Sequence, residues 1–202
     1  MERNENQRHK SAHWEPQKGA HNLAVSAMFV AMGLVLPFFT GQIPQIGNML
    51  LPMHLPVLVC GLICGWKYGL AVGFVLPLLR SVLFGMPVMY PRAVAMAFEL
   101  AAYGGLAGAL YGRSPWKCVL SLYRALVGAM LGGRLVWGGV MAVLMGMTGS
   151  SFTWHLFLSE AFINAVPGIV LQLVFIPGLM LSLHRTGLVP IHRRACQSER
   201  TK

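Results

Sequence analysis

One long stretch of this chain is almost free of charge, and it limits the possible folds more than any other feature. From Asn22 to His184, apolar residues run in blocks that are broken by only a few short polar segments. Over the whole chain of 202 residues, 11% are charged, 55% are hydrophobic and none is Asp, whereas a soluble domain usually has about 25% charged residues. The pattern predicts an integral membrane protein built as a single domain of α-helices.

A membrane-spanning helix needs roughly 20 mostly apolar residues, so the apolar stretch has room for six spans with short links. We predict a six-transmembrane-helix bundle over residues 21–184, with polar tails at residues 1–20 and 185–202. The second span is short and could be re-entrant. The predicted spans are Asn22–Phe39, Leu55–Gly65, Tyr68–Phe84, Pro91–Tyr111, Leu120–Met147 and Leu156–Leu183.

The basic residues predict the orientation of this bundle. Under a six-span arrangement, 13 of the 16 Lys and Arg residues fall on one side of the membrane, and loops rich in Lys and Arg stay in the cytoplasm. Both termini are therefore expected inside the cell, in a protein of the plasma membrane. The same distribution argues against nucleic-acid binding despite the net charge of +10, because the basic residues do not form one face of a soluble fold.

Glycine recurs at a spacing of four residues in the middle of the sequence. Small residues at this spacing let the backbones of membrane helices approach closely, so helix packing is the expected role. The link between Gly65 and Gly69 is also expected to form a tight turn around Trp66–Tyr68. The glycines concerned are Gly61, Gly65, Gly69, Gly73, Gly104, Gly108, Gly112, Gly128 and Gly132.

Five ionisable residues lie inside the predicted spans, where a charge is costly unless it is paired or faces a polar cavity. We expect four of them in the outer half of the membrane and only Arg134 deeper. Arg92 and Glu99 are seven residues apart, which places them on one helix face. The five residues are Arg80, Arg92, Glu99, Arg134 and Glu160.

Two interpretations of this set remain open. The charges could form ion pairs, such as one between Arg80 and Glu99, that only hold the helices in register. Alternatively, three cations and two anions leave one positive charge over, which suits a water-accessible site for a small anionic or polar solute. Polar neighbours that would share this site are His54, Tyr90, Trp137, Asn164 and Gln172.

The segment between the first two spans, Thr40–Met53, is polar but uncharged. It contains Gln42, Gln45 and Asn48. It is either a plain outer loop or a lid over the proposed site, since segments that cover ligands are usually loops of this kind.

Known catalytic motifs are missing from the sequence. It has no phosphate-binding G-x-x-x-x-G-K-[ST] loop, no H-E-x-x-H and no G-x-S-x-G. We therefore expect no enzymatic activity, no cofactor and no metal. Two alternatives to a binding protein are an intramembrane enzyme that uses Glu99 or Glu160 with His54 or His155, and a structural scaffold subunit whose charges are all paired.

Two segments, Asn48–Leu70 and Pro77–Pro87, resemble the substrate-binding S components of energy-coupling-factor (ECF) vitamin transporters. The resemblance extends over about Asn22–Leu183. Ala27 and Ala31 match the A-x-x-x-A pattern with which the first helix of this family packs on its partner.

The resemblance implies a six-helix subunit that binds a water-soluble vitamin in its outer half, under the loop between the first two helices. It also implies a transmembrane T component and two ATP-binding-cassette ATPases as partners. The local pattern is most similar to the pantothenate branch, with riboflavin next. A spare cation suits a carboxylate ligand, and we expect Arg92 or Arg80 to hold it with two hydrogen bonds.

Overall fold

The computed structural model describes residues 15–39, 52–114, 119–147 and 166–185. These ranges are helical, with no strand among them. A π-helical turn, Met89–Ala93, leads directly into α4. The helices are α1 (Glu15–Phe39), α2 (His54–Cys64), α3 (Trp66–Phe84), α4 (Val94–Arg113), α5 (Val119–Met147) and α6 (Val166–Arg185).

Four helical segments of the described residues are long and apolar enough to cross a membrane. The apolar part of α6, Gly168–Ser182, and the whole of α2 are shorter. The protein is therefore a multi-pass helical membrane protein, and the count of six spans stays a prediction. The four long segments are Gly19–Phe38, Trp66–Phe84, Met89–Arg113 and Val119–Met147.

Contacts at both ends of α1 and α3 show that these two helices run in the same direction. The Tyr68 hydroxyl donates to the Gly19 carbonyl (3.4 Å) near the start of α1 and α3. At the opposite end, the rings of Phe38 and Phe84 meet edge to face, 4.9 Å apart. Thus α1 and α3 run in parallel, and their ends define what we call the Gly65 end and the Phe84 end of the bundle. Which end faces the cytoplasm stays a prediction.

The helix boundaries differ from the sequence prediction mainly at two places. Helix α1 begins at Glu15, inside the segment expected to be a polar tail. A helix satisfies its own backbone hydrogen bonds in water as well as in lipid, so it can extend beyond the apolar residues. Pro16 does not prevent this, because proline is tolerated in the first turn of a helix. The fourth helix does not start as a regular α-helix at Pro91. Tyr90 has extended backbone angles (φ −122°, ψ 132°) inside the π-helical turn.

Helix α2 is short but almost fully buried. Its 11 residues span about 17 Å at 1.5 Å per residue, and all of them except Ile63 are buried. A helix that is apolar on every side belongs in the interior of a bundle. The expected second span is therefore an inner helix that α1, α3 and α4 surround.

Glycine allows α2, α3 and α4 to touch through their backbones. A Cβ atom on Gly69 would lie 2.6 Å from both the carbonyl oxygen of Gly104 and the Cα of Gly61. Cβ atoms on Gly61 and Gly104 would likewise meet backbone atoms of the facing helix. The predicted role of these glycines in helix packing is confirmed.

Gly65 makes the connection between α2 and α3 by itself. Its angles, φ 94° and ψ 172°, lie in a region that is essentially restricted to glycine. Its N–H still donates to the Gly61 carbonyl (3.1 Å), and its own carbonyl accepts from the Gly69 N–H (3.0 Å). The turn between α2 and α3 therefore contains fewer residues than predicted, since Trp66 already belongs to α3.

Candidate functional site

A buried ion pair joins α4 to α5. Nη1 of Arg134 lies 3.1 Å from Oε1 of Glu99, and the Glu99 side chain is 2% exposed. The two atoms are close, but their alignment is not that of a hydrogen bond, so Oε1 is left without a hydrogen-bond donor among the described residues. The partner of Glu99 is therefore Arg134, which replaces Arg80 in the pairing considered from the sequence.

His54, the first residue of α2, lies beside this pair. Its Nε2 is 3.8 Å from Oε1 of Glu99, which is beyond hydrogen-bonding distance. The ring of Tyr103 packs edge to face on His54 with 5.1 Å between centroids. Gly133 leaves space for the Tyr103 ring, because a Cβ atom on Gly133 would lie 3.0 Å from that ring. Three helices thus fix one compact group, which we call the Glu99 cluster: His54, Glu99, Tyr103 and Arg134.

Several polar atoms of this cluster are buried without a hydrogen-bond partner in the described part of the chain. They are both ring nitrogens of His54, Oε1 of Glu99, and Nε and Nη2 of Arg134. Nε2 of Gln172 is likewise buried without a hydrogen-bond partner among these residues. Gln172 lies on helix α6, which packs against α2 and α5. An unsatisfied buried polar group costs about 1–3 kcal/mol, so a set of them is typical of a site that a ligand or water completes.

The Glu99 cluster lies about halfway along the bundle. Gly108 lies at the same height along the bundle as Trp66 at the Gly65 end, since a Cβ on Gly108 would lie 2.6 Å from the backbone nitrogen of Trp66. Glu99 is nine residues away on α4, which is about 14 Å along the helix axis. A bilayer core is about 30 Å thick. The cluster is therefore expected near the middle of the membrane, where an ionisable residue is by default a hypothesis for a functional site.

Arg80 has a different role from the predicted one, which was to form an ion pair with Glu99. It is 6% exposed, and its Nε donates to the Met86 carbonyl (3.1 Å). The neighbouring Ser81 hydroxyl donates to the Pro87 carbonyl (2.7 Å). The two side chains together hold the link that follows α3. Nη1 of Arg80 is buried and has no hydrogen-bond partner within the described ranges.

Three further predicted site residues lie closer to the surface of the bundle. Arg92 is exposed in the π-helical turn that precedes α4, so its predicted place on the same helix face as Glu99 does not bring it into the buried cluster. Tyr90 is also exposed, and its hydroxyl donates to the Leu144 carbonyl (3.1 Å), which ties the π-helical turn to α5. Trp137 is partly buried, one turn beyond Arg134.

The remaining predicted binding and lid residues lie outside the described ranges. This applies to Glu160, Asn164 and His155, and to the lid-loop residues Gln42, Gln45 and Asn48. Ala27 and Ala31, which were predicted to contact a partner, are both exposed on α1.

The sequence interpretation left Tyr103 out of the site. A signal for it was present, because Tyr103 follows Glu99 by four residues and so lies one turn away on the same helix face. Gln172 was noted as a polar residue in the sixth span, but nothing in its local sequence connects it with α2 or α5.

The chain matches the family described as "ECF transporter, substrate-specific component" over residues 21–184. It therefore belongs to this family, whose members are multi-pass membrane proteins that bind a transport substrate and are not enzymes. No curated protein and no solved structure matches the chain.

Proposed function

We propose that this protein captures a water-soluble vitamin, with pantothenate favoured and riboflavin next, for uptake across the plasma membrane. The observation that supports this most strongly is the Glu99 cluster, a buried group of polar side chains with open hydrogen-bonding capacity inside a transport subunit. A purely structural ion pair would be expected to satisfy its own polar atoms, because each unsatisfied one is costly.

In this proposal the vitamin enters from the Phe84 end, which is the outer end if both termini are cytoplasmic and the bundle has six spans. Arg80, Arg92, Tyr90 and Trp137 would meet it on the way to the cluster. Glu160 and Asn164 would complete the site from the sixth span, and the segment carrying Gln42, Gln45 and Asn48 would close over it.

The binding subunit would work with a transmembrane T component and two ATP-binding-cassette ATPases, which supply the energy for uptake. The sequence has no phosphate-binding loop of its own, which fits this division of roles. Ala27 and Ala31 present a smooth exposed strip on α1 that suits close contact with a helix of the T component.

The test is a thermal-stability screen of the purified full-length protein against a panel of water-soluble vitamins. A ligand that binds only the folded state raises the unfolding temperature according to its concentration and affinity. We expect pantothenate to give the largest shift. If none of the vitamins stabilises the protein, the proposal is wrong.

Of the acid–base pairs that an intramembrane enzyme could use, only Glu99 and His54 lie in the described part of the chain, and their geometry does not support this alternative. A general acid and base should be within hydrogen-bonding reach of each other or of substrate, and the contact between His54 and Glu99 is longer, at 3.8 Å.

A further inference from the structure

We infer that Arg134 is the specificity-determining residue of the binding site and that it selects a substrate with a carboxylate group. This inference rests on the proposed function and makes it narrower, since riboflavin carries no carboxylate. It also moves the expected carboxylate contact from Arg92 or Arg80, near the Phe84 end of the bundle, to Arg134 in the middle of α5.

The first argument is the unused edge of the Arg134 guanidinium. Nη1 faces Glu99 at 3.1 Å, while Nε and Nη2 are buried and without a partner in the described helices. These two nitrogens form one side of the planar group, and their N–H bonds point in the same direction. That arrangement matches the two oxygens of a carboxylate, which arginine binds with paired hydrogen bonds.

The second argument is the position of the α2 N-terminus. Because α2 is only about 17 Å long and ends at Cys64, just before Gly65, its first residue, His54, lies deep in the bundle next to Glu99. Its N-cap residue, Met53, makes no side-chain capping hydrogen bond, and no acidic residue lies in its first turn. A helix N-terminus carries about half a positive charge, and half-helices in other transporters direct such ends at anionic substrates.

The charges of the cluster then favour an anion. Glu99 offsets the full charge of Arg134, and the α2 N-terminus adds roughly half a positive charge. Gln172 offers a further buried amide donor from α6. Glu99 acts as a positioning residue, because its contact with Nη1 orients the guanidinium so that the other edge stays open. Oε1 of Glu99 and the ring nitrogens of His54 remain available to hydroxyl or amide groups of the same substrate.

The experiment compares matched ligand pairs on the full-length protein by calorimetry. The pairs are pantothenate with pantothenol, nicotinate with nicotinamide, and biotin with its amide, and riboflavin is added as a vitamin without a carboxylate. We expect one carboxylate to bind at least about tenfold more tightly than its neutral counterpart, since hydrogen bonds to a charged group are roughly twice as strong as those between neutral groups.

The variant Arg134→Lys should lose about tenfold or more of that preference, because Lys keeps the charge but not the paired donors. Arg124→Lys is the matched control. Arg124 is exposed ten residues earlier on α5, and its replacement should leave the preference unchanged. The comparison of ligand pairs on the unmodified protein tests the preference for a carboxylate even where Arg134→Lys does not fold.

The outcomes separate the two proposals. Equal affinity within the bound pair, or binding of riboflavin alone, would overturn the carboxylate inference and leave vitamin binding intact. An Arg134→Lys protein that is folded and keeps the full preference would show that another residue holds the carboxylate. Failure of every vitamin to bind would overturn the proposed function and this inference with it.

Discussion

Glu99 and Arg134 face each other across the α4–α5 interface, 3.1 Å apart and almost completely buried, about halfway along the bundle. Removing one member of such a pair leaves an uncompensated charge in the interior, which typically costs about 3–5 kcal/mol. Replacing both members avoids that cost, because the isolated charge is gone.

We therefore expect Glu99→Gln and Arg134→Gln each to lower the thermal stability of the detergent-solubilised protein strongly, and Glu99→Gln/Arg134→Gln to recover part of the loss. Arg124→Gln, on the exposed side of α5, controls for the loss of one positive charge and should change stability little. A double variant as unstable as the sum of the two single variants would show that the pair is not energetically coupled.

The glycine contacts among α2, α3 and α4 give a second prediction. Gly69→Ala would place a methyl group 2.6 Å from backbone atoms of Gly104 and Gly61, and the helices would have to separate. Overpacking of this kind costs about 1–3 kcal/mol. The control is Gly139→Ala on α5, where a Cβ meets nothing within 4 Å, and it should be neutral or stabilise by about 0.5–1 kcal/mol. Thermal unfolding compares the two, and similar effects would disprove the close crossing.

The two glycines with positive φ should respond differently to asparagine. Gly85 has φ 69° and ψ 1°, whereas Gly65 has φ 94° and ψ 172°. Asparagine tolerates the first, left-handed conformation, but the second is essentially restricted to glycine, at a cost of about 1–3 kcal/mol for other residues. Gly65→Asn should thus lower the unfolding temperature clearly more than Gly85→Asn. The reverse order would mean that the α2–α3 turn has another backbone conformation.

The strip on α1 can be tested apart from vitamin binding. Ala27→Leu/Ala31→Leu should reduce co-purification with the T component and the ATPases, because bulky side chains keep helices apart. Binding of the vitamin to the isolated subunit should not change. Ala71→Leu, at an exposed position on α3, is the matched control. Undiminished assembly of the double variant would place the partner surface on another helix.

The local features of this fold were accessible from the sequence. Apolar length predicted α3 and α5 to within two residues at each end, and the glycine spacing predicted close helix packing, which Gly61, Gly69 and Gly104 provide. Both follow from the chain's own periodicity. The π-helical turn before α4 was not predicted, because its hydrogen bond from Ala93 to Val88 depends on how the preceding link is held.

The pairing of charges could not be predicted in the same way. Sequence distance placed Glu99 in the outer half and Arg134 deeper, yet the two meet. Which residues lie at the same depth in the bundle depends on the short length of α2 and on the position of α4 along the axes of its neighbours. Neither is a property of the local sequence. The partner of Arg80 could not be predicted either. It is the backbone carbonyl of Met86, and every residue type has such a carbonyl.

The backbone contacts at Gly61, Gly69 and Gly104 also limit how the bundle can move. Helices that interlock through main-chain atoms cannot slide or roll without colliding, so α2, α3 and α4 form one rigid unit. The contacts of α5 with α4 are instead made by side chains: the Glu99–Arg134 pair, the Tyr103 ring against Gly133, and the flexible ends of Leu106 and Leu110 against Gly132 and Gly128. Any opening that admits a solute to the middle of the protein is therefore expected to hinge at α5, with the glycine-linked trio as its fixed frame.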